Sequence, residues 1–75
     1  MQIISIKNKH ANNEVCPQYL YKELDTNKTE LIVGKPLLII FKGGSFFSHE
    51  NIINTECLND KSIRVETTNK TWILI

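Results

Sequence analysis

The chain has 75 residues, with nine Lys or Arg against eight Asp or Glu and a formal net charge of +1. That length holds one domain around one small core, and the balanced charge excludes a protein whose whole surface neutralises phosphates. No apolar stretch approaches the ~18 residues of a membrane helix, and the start, Met1-Gln2-Ile3-Ile4-Ser5-Ile6-Lys7, lacks the basic and long apolar regions of a signal peptide.

Residues 2–7 read as a first strand, with Ile4 and Ile6 on one face and Ile3, Ser5 and Lys7 on the other. Residues 8–13 are polar and turn-forming. At 17–24 the period changes. Pro17, Leu20, Tyr21 and Leu24 fall at i, i+3, i+4 and i+7, one apolar stripe of a two-turn helix with Pro17 in its first turn. Two turns do not persist alone in water, so this helix is expected to dock on a sheet and cap an open end. Asp25-Thr26-Asn27 stops it. Residues 29–33 are a short strand candidate, interrupted by Gly34-Lys35-Pro36.

The run Leu37-Leu38-Ile39-Ile40-Phe41 is the stretch around which the rest is expected to wrap. As a strand it places Leu37, Ile39 and Phe41 on one face and Leu38 and Ile40 on the other, so both faces need cover. Gly43-Gly44 supplies the positive φ angles of a tight hairpin, and Ser45-Phe46-Phe47 returns antiparallel. Residues 48–50 are polar, and an extended piece runs from Ile52 to about Leu58 before the Asn59-Asp60 turn. From 62 to 67 the alternation is clean: Ile63, Val65 and Thr67 against Arg64, Glu66 and Thr68. Asn69-Lys70 is a compact turn. The last strand carries Trp72 and Leu74 opposite Ile73 and Ile75. The whole is a single mostly β domain of five to six short antiparallel strands, a small barrel or bent sheet, with one short helix at about 17–24.

Chemistry-bearing residues are sparse. His10, His49, Cys16 and Cys57 lack the paired spacing of a zinc site and read as two loop histidines and two buried free thiols in a reducing setting. A Cys–His nucleophile has no third group to support it. Gly43-Gly44-Ser45 lacks the spacing of a phosphate loop. No catalytic residue, metal or cofactor is therefore expected. Five aromatic residues, Tyr19, Tyr21, Phe46, Phe47 and Trp72, are the remaining candidates for stacking on a ligand, with Lys35, Lys42, Arg64 and Lys70 for anions. Arg64 is the only Arg in a Lys-rich chain, and its planar fork suits a carboxylate or phosphate. A cross-strand salt bridge is the bland reading of the same residue.

From Gly34 to Ile75 the pattern resembles that of small SH3-like β-barrels of phages and mobile elements. It is carried by Gly34-Lys35-Pro36-Leu37, the apolar strand, Gly43-Gly44, Ser48 with Ile52, and Arg64-Val65-Glu66-Thr67-Thr68-Asn69-Lys70-Thr71-Trp72. Abundant Ile, Lys and Asn suit an AT-rich genome of that kind. The resemblance implies a non-enzymatic cytoplasmic protein that inhibits a host defence system, by binding a host protein or by sequestering a small anionic nucleotide signal. A nucleic-acid-binding SH3-like or OB-like module and a structural protein acting through its oligomer are the alternatives. The expected binding residues are Lys35, Lys42, Phe46, Arg64, Lys70 and Trp72. Two-faced apolar strands in so short a chain also predict a homo-oligomer.

Overall fold

The computed structural model describes all 75 residues. Five antiparallel strands make one sheet: β1 (Ile3–Asn8), β2 (Pro36–Ile40), β3 (Phe46–Cys57), β4 (Ile63–Thr67) and β5 (Lys70–Leu74). Across the sheet they lie in the order β1-β5-β4-β3-β2. Strands β2 to β5 thus form a meander, and β1 adds beside the last of them. The sheet curls into a half-barrel.

The curl originates in β3. Its first half pairs with β2, from Phe46 opposite Ile40 to Asn51 opposite Pro36. Its second half pairs with β4, from Ile52 opposite Thr67 to Cys57 opposite Ile63. The register slips between Ile52 and Asn54, and such an irregularity bends a strand and sharpens its twist. Residues 48–50 are polar but lie inside this strand, with no break between two separate pieces. The Phe41 to Phe46 turn is the expected glycine hairpin, with φ of 104° at Gly43 and 98° at Gly44.

The core fills the concave side with Ile3, Ile6, Leu24, Leu37, Ile39, Phe41, Ile52, Val65, Trp72 and Leu74. Alternation holds in β2, β4 and β5. In β1 it does not. The register shifts between Ile3 and Ser5, so Ile3 and Ile6, three apart, both turn inward and Ile4 is left half-buried. This corrects the expectation that Ile4 and Ile6 share a face.

The helix expected over 17–24 is a single 3-10 turn, Pro17–Tyr19. Cys16 and Tyr21 flank it in left-handed conformations, at φ of 52° and 65°, which end a helix in both directions. The physical reason is the bare edge of β1, whose backbone groups need partners. Val15 N donates to Ile6 O, Tyr21 N to Ile3 O and Leu24 N to Met1 O, each at 2.8 Å. The chain then crosses to the other side. Asp25 N donates to Ile40 O at 2.7 Å and Lys42 N donates to Glu23 O at 3.1 Å. Single ladder bridges join Gln2 to Glu23 and Leu24 to Phe41. Residues 14–25 are therefore a strap across the open side of the half-barrel, and Leu24 is its buried anchor. Extended backbone does the capping that the apolar stripe assigned to a helix.

Residues 29–33 form no strand. Glu30 makes one bridge to Leu38, and Thr29 Oγ1 accepts from Ile40 N at 3.2 Å. Together with the strap, these contacts cover both outer strands with the protein's own chain, which removes the row of unpaired groups that invites strand addition.

Candidate functional site

Two features stand out above this scaffold, one inside and one outside. Inside is an aromatic wall. Phe47 lies opposite Ile39 in the β2–β3 ladder and so points inward. Its ring stacks on Tyr19 from the strap at 4.3 Å and lies 5.9 Å from both Phe41 and Trp72. His49, two residues on, faces the same way and meets Trp72 edge-on at 5.2 Å. Lys22 Nζ sits over the Phe41 ring at 5.8 Å, a favourable place for a cation. Tyr19, Phe47 and His49 are half-buried, so one margin of the wall reaches the surface.

The wall ends in a polar tether. Trp72 Nε1 donates to Thr67 Oγ1 at 3.0 Å, and Thr67 Oγ1 donates to Glu50 at 2.6 Å. Asn69 N and Nδ2 also donate to Glu50, at 2.6 and 3.2 Å. The carboxylate of β3 thus pins the β4–β5 turn. Partial burial works against its ionisation, but the bonds from Thr67 and Asn69 and the charge of Lys70 outweigh it and hold its carboxyl below the usual range. His49 Nδ1, close by, is buried with no hydrogen-bond partner.

Outside, the convex face of the β2–β3 ladder carries Ile40 opposite Phe46 and Leu38 opposite Ser48. Leu38 and Ile40 are half-buried, and Phe46 is 70% exposed. Ile32, Val33 and Ile53 are exposed as well. Bonds of Gly34 N to Ile52 O and Ile52 N to Lys35 O, both 2.9 Å, bring the backbone of that loop beside the bulge in β3. The surface has no pocket, and no three His, Cys, Asp or Glu side chains gather to hold a metal.

The six expected binding residues do not form one face. Lys42 and Phe46 share the β2–β3 hairpin. Lys35 is at the opposite end of β2. Arg64, on the outer face of β4, forms ion pairs with Glu66 and with its cross-strand neighbour Glu56, the latter at 3.6 Å. Hydrogen bonds from Arg64 and then Lys9 hold the Glu66 carboxyl below its ordinary range. The guanidinium is thus already engaged by carboxylates. Lys70 lies beside His49 and Glu50. Trp72 is completely buried and hydrogen-bonded. It is a core residue, which corrects its assignment as a stacking surface: the inward alternation of β5 and the partner for Nε1 both favour burial.

The thiols and histidines also need correction. Cys57 is exposed at the end of β3, and Cys16 is half-buried beside the core. His49 lies in a strand, not a loop. Sequence reasoning took His49 for a loop residue and Thr67 only for a member of the inward face, and it did not single out Glu50. The available signal was alternation: Phe47 and His49 are two apart, as are Val65 and Thr67, which assigns each pair to one face. No family model matches the chain, and no curated protein or solved structure is significantly similar to it.

Proposed function

We propose that the protein is a non-enzymatic binding protein that acts by covering a surface on another protein, in the manner of small phage or mobile-element inhibitors of host defence. The observation that carries this reading is Phe46. A large aromatic side chain 70% exposed on a glycine hairpin gives the core little. Buried against a partner, it would contribute about 1.5–3 kcal/mol. Around it, Ile40 and Leu38 supply an apolar floor, and Lys42 a rim charge.

Three further points support the same choice. The lack of a pocket favours a protein partner over sequestration of a nucleotide signal. Arg64, the best phosphate fork in the chain, is taken up by Glu56 and Glu66. The accessible surface, 4653 Å², is close to the ~4,700 Å² of a compact monomer of this mass. A core closed within one chain supports a different protein, in place of a second copy, as the partner of the outer face. Because the chain covers both sheet edges, the partner meets side chains and adds no strand.

The test is biological. In a defence-competent host challenged with phage, expression of the parent protein is expected to raise plaque numbers. Phe46→Ser, at an equal protein level, is expected to lose that effect. Equal plaque numbers for the two would overturn the reading.

A further inference from the structure

His49 carries, in Nδ1, the one buried side-chain nitrogen or oxygen that the fold leaves without a hydrogen-bond partner. Its ring meets Trp72 at 5.2 Å and 72° and Phe47 at 6.4 Å and 88°, both edge-on. A neutral imidazole tolerates an unpaired acceptor nitrogen in such a place. A protonated one would put a charge and an unmet N–H there. The charged groups that face it are Lys70, which begins β5, and Glu50, the next residue of β3. From the strap, the Tyr19 ring stacks on Phe47. Lys70 opposes an imidazolium. Glu50 would favour one, but its oxygens already accept from Thr67 and Asn69.

We propose that His49 is an acid-sensitive latch on the aromatic wall: neutral, it lets the wall close over Trp72; protonated, it parts the wall and admits water to Trp72 while Glu50 still holds the β4–β5 turn. The proton comes from solvent and no covalent change is involved. Burial first, and Lys70 second, hold His49 below the ordinary histidine range and outweigh Glu50.

The sign follows from linkage. The open state binds the proton with ordinary histidine affinity, near 6.5, and the closed state resists it. The closed form is thus fully favoured above that pH and loses ground as pH falls below it. Between that value and the lowered value of the closed state, the opening constant rises as pH falls, by at most about tenfold per pH unit. The Glu50 tether fails in a lower window, below 4.5, because its carboxyl is held below that value. The two events are therefore separable. The latch belongs to the inner wall and does not depend on what binds the outer face.

Trp72 is the only tryptophan, so its emission reports its own burial. With the full chain, lowering the pH from 7 to 5 is expected to shift that emission reversibly to the red. Hydrogen exchange in β5 should show opening that increases as pH falls below 6.5, by at most about tenfold per pH unit. Both changes should vanish in His49→Phe, which keeps a ring without a titrating nitrogen. His49→Gln, polar but not titrating, provides the same comparison if the first variant does not fold. A red shift that persists in either folded variant overturns the latch. So does a fall in intensity without a shift, which reports a wall that stays shut around a protonated ring, or the absence of any change.

Discussion

Thr67→Val tests the tether at its centre. Thr67 is completely buried, and its hydroxyl both accepts from Trp72 Nε1 and donates to Glu50. Valine keeps the shape and removes both bonds. A hydrogen bond to a charged group contributes about 1.5–3 kcal/mol, and a buried donor left unpaired costs about 1–3 kcal/mol. Glu50 retains its two bonds from Asn69, so its loss falls at the low end of that range. The indole N–H has no such substitute. The sum is about 3 kcal/mol. A chain of 75 residues has a total stability of about 4–11 kcal/mol, so this is a large share of it. At about 4–8 °C per kcal/mol for a domain of this size, Tm should fall by about 12–24 °C. Thr67→Ser keeps the hydroxyl and loses one methyl, about 1 kcal/mol. Thermal unfolding followed by circular dichroism and by Trp72 emission measures both variants. In a Trp72→Phe background the cost of Thr67→Val should shrink, because no indole N–H is left unpaired. If Thr67→Val melts within a few degrees of the parent, or above Thr67→Ser, the tether does not hold the turn.

Two other outcomes follow from the same geometry. Arg64→Lys should change stability by no more than about 1 kcal/mol in urea unfolding, because its ion pairs with Glu56 and Glu66 lie at the surface; a larger loss would mean the network supports the sheet. Gly44→Ala should cost about 1–2 kcal/mol although nothing lies within 4 Å of the added carbon, since φ of 98° strains any residue with a Cβ; a neutral result would show that the hairpin adapts.

Much of the sheet was legible because its signals are local. Leu37 to Phe41 is apolar on both faces, Gly43-Gly44 permits positive φ, and Ile63 to Thr67 alternates at the period of a half-buried strand. What misled was long-range. Pro17, Leu20, Tyr21 and Leu24 have true helical spacing, yet the unpaired edge of β1, distant in sequence, captures their backbone and tertiary pairing overrides a two-turn propensity. The bulge in β1 moves Ile3 inward and Ile4 out, and a register shift of this kind leaves no mark in composition. At the sites, exposure was the hidden variable. Trp72 and Phe46 look equally suited to stacking on a partner, but the inward face of β5 and the Thr67 hydroxyl bury the first, while the outward register opposite Ile40 exposes the second. Arg64 drew notice as the single arginine. Its commitment to Glu56 becomes visible only when β3 and β4 are aligned in register.

Titration of a purified host partner against the parent, Phe46→Ser and Arg64→Gln tests the outer-face account most directly. A central apolar anchor of this kind predicts that Phe46→Ser binds about tenfold more weakly or worse, chiefly through faster dissociation, with Tm unchanged. Arg64→Gln should bind within about twofold of the parent. If Phe46→Ser binds as the parent does while Arg64→Gln loses the partner, the charged outer face of β4 is the binding surface and the account is wrong.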